Sequence, residues 1–182
     1  MSEGITTPIS AAERAGLLAK LPEGKAKETI MRSMTDSHIR KGQFSQALEL
    51  LNALPDSTGR DRNVFELGQK WATSDMEAAT AWLKRQPEST DRDIATAGYA
   101  FTLARTDAAG ALEWANTIPD AKLRESALKG VAVRWMGSDP AKAEAWMSGV
   151  PSFSELDKRM IRDMSKRQSD YFFMPLSVGQ RR

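Results

Sequence analysis

The chain contains no cysteine and a single histidine, His38. The first absence excludes disulfides, thiolate zinc sites, iron–sulfur clusters and a cysteine nucleophile. The second leaves a histidine-based triad or a multi-histidine metal site only one residue to build on. Long apolar runs are missing too. Mean hydropathy is −0.48, and no uninterrupted stretch approaches the roughly 20 apolar residues of a spanning helix. Val and Ile together number 12 against 25 Ala, a balance that favours helix over strand. The GxSxG elbow, the HExxH zinc motif, the GxGxxG loop and the Walker loop are all absent. Neither catalysis nor a cofactor is expected.

What is present is enough for a core: 182 residues, 41% hydrophobic and 27% charged. The net charge of +2 is too small to indicate a nucleic-acid partner. Its distribution is uneven. Residues 20–41 hold six basic and three acidic groups, 42–152 hold twelve and fifteen, and 153–182 hold seven and four. Basic ends around a mildly acidic middle fit solvated helix faces; end-to-end stacking or an acidic partner at the ends is the sharper reading. Met1–Ser10 has neither the basic nor the apolar region of a signal peptide. That points to the cytoplasm, although an exported chain stripped of its signal would read the same.

Five prolines stand at 22, 55, 87, 119 and 151, at spacings of 33, 32, 32 and 32. Such a period marks a repeat array. Five residues before each proline stand Leu17, Leu50, Trp82, Trp114 and Trp146. Eight before, the last four repeats carry Ala47, Ala79, Ala111 and Ala143. Asp75, Asp107 and Asp139 precede Ala-rich stretches as N-caps do, their carboxylates accepting the orphan N–H groups of a first turn. The small Ala admits a neighbouring helix, and the large residue three positions later lies on the same face. The proline then ends the helix. In that fixed register the tryptophans read as core rather than as an aromatic ligand cage.

A second helix follows each proline. It opens on Lys27-Glu28, Arg60-Asp61, Arg92-Asp93 and Arg124-Glu125. The small positions Thr35, Gly68, Ala100 and Ala132 follow, then His38, Trp71, Leu103 and Trp135 three residues later. An Arg just past a helix C-terminus can donate to its last carbonyls, and the neighbouring acid suits the next helix's first turn. That structural role outweighs a phosphate-gripping ladder. Helices are expected near 10–20, 25–40, 44–53, 58–72, 76–85, 90–104, 108–117, 121–136, 140–148 and 153–168. The expected fold is all-α: a right-handed α-solenoid of antiparallel helical hairpins. One repeat domain spans 10–168, between a flexible N-terminus at 1–9 and a C-terminal tail at 169–182.

The unit resembles a tetratricopeptide repeat of divergent type. Val64, Leu67, Gly68 and Trp71 sit at the spacings of that family's first-helix motif, and Ala79 and Leu83 look like its second-helix pair. The period of 32 and the Ala-x-x-Trp-x-x-x-x-Pro run depart from it. The resemblance implies a superhelix whose concave face, lined by the first helix of each hairpin, binds a protein or peptide. Carried over residue by residue, that face comprises Arg32, Asp36, Arg62, Phe65, Gln69, Ile94, Phe101 and Lys129. Phe65, Ile94 and Phe101 would form its apolar centre, with Arg32, Arg62 and Lys129 toward the rim. The expected occupant is an extended or helical peptide with apolar anchors and some acidic character.

The tail breaks the pattern. Tyr171, Phe172 and Phe173 lead an apolar cluster ending at Leu176. It suits a cap over the last hairpin's open face, or an arm docking on a second subunit or a partner. The first alternative to a peptide-binding scaffold is therefore a structural subunit of a larger assembly, joined through its basic ends and tail. RNA binding is the second, with the acidic middle weighing against it.

Overall fold

The computed structural model describes residues 17, 20–22, 24–52 and 58–167. They form α1 (Lys25–Arg40), α2 (Phe44–Asn52), α3 (Thr58–Ser74), α4 (Met76–Arg85), α5 (Thr90–Leu103), α6 (Ala108–Asn116), α7 (Ala121–Ser138), α8 (Pro140–Ser148) and α9 (Glu155–Lys166). Among the described residues there is no strand, and the fold is all-helical. Each of these helices ends within two residues of its expected bounds. The helix expected over 10–20 falls largely outside the described residues.

Local chemistry sets the boundaries. The carboxylates of Asp75, Asp107 and Asp139 accept the backbone N–H of Ala78, Gly110 and Lys142 at 2.9, 2.9 and 3.2 Å. Pro140 takes the first helical position of α8, where its missing N–H costs nothing. Ser154 and Asp157 form a reciprocal capping box at the start of α9. Gly42, at φ +70°, ends α1: its N–H reaches the Ile39 carbonyl and the Gln43 N–H reaches that of His38. That pair of bonds is a Schellman turn, and the left-handed position selects glycine. Replacing Asp75 by Ala should lower stability by about 1 kcal/mol, read from urea unfolding, because α4 then starts on unsatisfied N–H groups. An unchanged midpoint would remove the capping account.

The odd helices α3, α5, α7 and α9 pack on one another in chain order, with α1 touching α3 more lightly. Of the even helices, α2, α4 and α6 seat against the odd helices on both sides, and α8 seats against α7. Every substantial contact joins elements no more than two apart in the chain. The repeating small positions lie where layers meet. Ala47, Ala111, Ala143, Thr35, Ala100 and Ala132 are all fully buried. The aromatic positions pair within hairpins, Trp82 with Trp71 at 5.2 Å and Trp146 with Trp135 at 6.1 Å between ring centroids. Trp71 is buried, Trp82, Trp114 and Trp146 are half-buried against the core, and Trp135 is half-buried beside Trp146, so these rings pack between helices while keeping an exposed edge.

α3 and α5 cross backbone to backbone. A Cβ added to Gly68 would fall on the Ala95 carbonyl, and one added to Gly98 would fall on that of Phe65. The two glycines thus form a reciprocal backbone-to-backbone crossing, which only the absence of side chains allows. α5 sinks as a result, and every residue from 93 to 101 is buried.

Candidate partner-binding face

The face inferred from the sequence divides in two. Arg32, Asp36 and Arg62 are exposed and Gln69 is half-buried. Phe65, Ile94 and Phe101, expected as an apolar centre open to a ligand, are instead interior: 6%, 0% and 2% exposed. The glycine crossing is the reason. It brings α3 and α5 so close that the Phe65 and Phe101 rings meet at 6.0 Å, and the Arg134 guanidinium lies over the Phe101 ring at 5.1 Å. Truncating either ring therefore tests the core, not recognition. Tyr171, Phe172 and Phe173 lie outside the described residues.

A half-buried residue missed by the sequence reading lies beside the exposed ones. Glu66 lies within electrostatic reach of Asp36, Arg62 and Lys70. Burial raises its pKa above the usual glutamate value and Asp36 adds to the rise, while Arg62 and Lys70 oppose it. Its four-residue spacing from both Arg62 and Lys70 was the available signal. The surface across α1 and α3 is thus a mixed-charge strip of Arg32, Asp36, Arg62, Glu66 and Lys70.

Lys129 is not a rim group reaching for a ligand. Its Nζ lies 2.6 Å from Glu125 and 2.6 Å from Asp157, fastening α7 to α9. Asp157 stands 32 residues after Glu125, which stands 32 after Asp93, so it continues the series of acids at helix starts. Burial pulls the Asp157 carboxyl up, but hydrogen bonds from Lys129 and Ser154 outweigh it and hold the pKa below the ordinary range. A depressed folded pKa contributes stability that is complete above the unfolded value of about 3.9 and is lost as pH falls through the folded value. The stability gap between wild type and Lys129→Met, from urea midpoints between pH 2 and 6, should therefore narrow toward the acid end. A constant gap would contradict the assignment. Asp93 has the opposite sign. It is buried, and desolvation raises its pKa despite Arg92 Nη1 at 3.2 Å. Its contribution makes the fold less stable as pH rises from the unfolded toward the folded value.

The arginines that open α3, α5 and α7 are structural. Arg60 Nε donates to the Leu51 carbonyl at 2.7 Å, Arg92 Nε to that of Leu83 at 3.4 Å, and Arg124 Nη1 to that of Ile118 at 2.7 Å. Each completes the end of the preceding segment. Beside Arg60 and Arg92 lies a cleft of about 450 Å³ between α2, α4 and the start of α5, walled by Leu48, Asn52, Trp82 and Gln86. No motif in the sequence joins these residues. His38 is half-buried, with Nδ1 hydrogen-bonded to Gln43 Oε1 at 2.8 Å across the Schellman turn.

Among the described residues no group of three or more acids or histidines is placed to hold a metal ion. None of the described helices is long and apolar enough to cross a membrane. Comparison with protein-family models, curated proteins and solved structures finds no match for this chain.

Proposed function

We propose that the chain is a tetratricopeptide-like α-solenoid acting as a non-catalytic scaffold, which binds a protein or peptide on the surface of its odd-numbered helices. The observation that carries this reading is the packing order. Described helices whose substantial contacts join elements one or two places apart suit an extended array rather than a closed globule, and such arrays present long surfaces to partners. The 32-residue register of caps, small residues and aromatics supports the same view. With Phe65, Ile94 and Phe101 interior, recognition rests on the mixed-charge strip across α1 and α3. A partner segment with acidic groups over Arg32 and Arg62 suits it, a basic group falling near Glu66.

The test is affinity capture from the native host with wild type and with Arg32→Glu/Arg62→Glu. Helical circular dichroism of both baits checks that the fold is retained before capture is compared. The expected result is a protein retained by the first bait and lost from the second. Equal capture by both baits, or recovery of nucleic acid, would overturn the proposal.

A further inference from the structure

The cleft of about 450 Å³ between α2, α4 and the first turn of α5 is polar at positions that are apolar one repeat later. Gln86 lines it, and the 32-residue period aligns Gln86 with Leu54, Ile118 and Val150. Asp91 lines it too, and aligns with Leu123. Ile118 and Leu123 are 0% and 4% exposed, so in the following repeat these positions belong to the core. Here they hold a carboxamide and a carboxylate, and both residues stay half-buried. The helix stack gains no stability from that exchange, because apolar burial is forgone.

The lining indicates what fits. It holds two guanidiniums, Arg60 and Arg92, against one carboxylate, Asp91. Arg60 gives both terminal nitrogens to Asp91. Arg92 is less engaged. Its Nε donates to the Leu83 carbonyl at 3.4 Å and its Nη1 to Asp93 at 3.2 Å. Its Nη2 has no hydrogen-bond partner among the described residues, which leaves a cationic donor for an anion. The positive end of the α5 dipole lies at the same place. Asn52 and Gln86 add carboxamides, which pair with the N–H and C=O of an amide. The half-buried Trp82 indole adds an apolar wall. An anion, an amide and an apolar group close together are what an N-acylated amino acid carries, and the volume suits a small ligand.

We propose that this cleft binds an N-acylated α-amino acid carboxylate, the chemistry of a peptide C-terminus. The carboxylate meets Arg92, the amide lies by Asn52 and Gln86, and the side chain rests on Trp82. The site shares no residue with the α1–α3 strip and does not depend on that reading. NMR titration with acetyl-alanyl-leucine and with its C-terminal amide tests it. Signals of Gln86, Arg92 and the Trp82 indole N–H should shift and saturate with the acid. The amide should bind about tenfold more weakly, having lost the charge-assisted bond. Gln86→Ile, the residue of the next repeat, should fold and lose binding of the acid. If that variant fails to fold, the comparison of acid and amide on the unaltered chain decides. Acetyl-leucine separates the sources of the ligand. Weaker binding than the dipeptide assigns the cleft to peptide ends, equal binding assigns it to free acylated amino acids, and either supports the proposal. Equal binding of acid and amide would overturn it. So would the absence of any shift at millimolar probe, or undiminished binding by a folded Gln86→Ile.

Discussion

Arg60→Met should cost the fold about 3–5 kcal/mol, the range seen when one partner of a buried ion pair is removed. Arg60 is 3% exposed, yet its side chain is fully employed. Nε donates to the Leu51 carbonyl, Nη1 and Nη2 take the two oxygens of Asp91 at 2.6 and 2.5 Å, and Nη2 also reaches Asn52 Oδ1 at 3.3 Å. One guanidinium therefore ties the end of α2 to the start of α5 through the first turn of α3. Methionine would fill the volume but leave Asp91, only 21% exposed at its side chain, without that fork. Arg60→Lys should recover part of the loss, since an ammonium keeps the charge but not the bidentate geometry. Urea unfolding of the three proteins measures this. A loss below about 1 kcal/mol in the methionine variant would show the network to be incidental.

The same residue shows what a sequence can carry. The Arg-Asp/Glu dipeptide and its period were plain, and so was its capping role, because a helix end and the residue that completes it are close in sequence. That Arg60 also reaches Asp91, 31 residues on, was not legible. The partner belongs to the next repeat, and Leu123 stands 32 residues after it, so no period announces the pair. Helix limits followed from local signals for the same reason: Asp75, Asp107 and Asp139 are caps wherever the helices later pack. The candidate face failed at Phe65, Ile94 and Phe101 because register tells which side of a helix a residue occupies, not how deep the helix lies. Depth was decided by Gly98 meeting α3, and its register alone does not announce this: the equivalents are Glu66 and Gly130.

Gly98 should accordingly be among the least replaceable residues of the chain. A methyl group there would meet the Phe65 carbonyl carbon at 3.0 Å and overlap its oxygen, and the neighbour is backbone, which cannot rotate away. α3 and α5 would have to separate, loosening the Phe65–Phe101 contact. Gly98→Ala should therefore lose about 3 kcal/mol, the upper end of ordinary overpacking, in spite of alanine's better helix propensity. Gly137 supplies the opposite sign. It lies within α7 with nothing within 4 Å of an added Cβ, so Gly137→Ala should gain about 0.5–1 kcal/mol from reduced backbone freedom in the unfolded chain. The two substitutions are chemically identical and differ only in what the methyl meets. If both moved the urea midpoint in the same direction, the α3–α5 crossing would not be the tight contact that holds α5 in the interior.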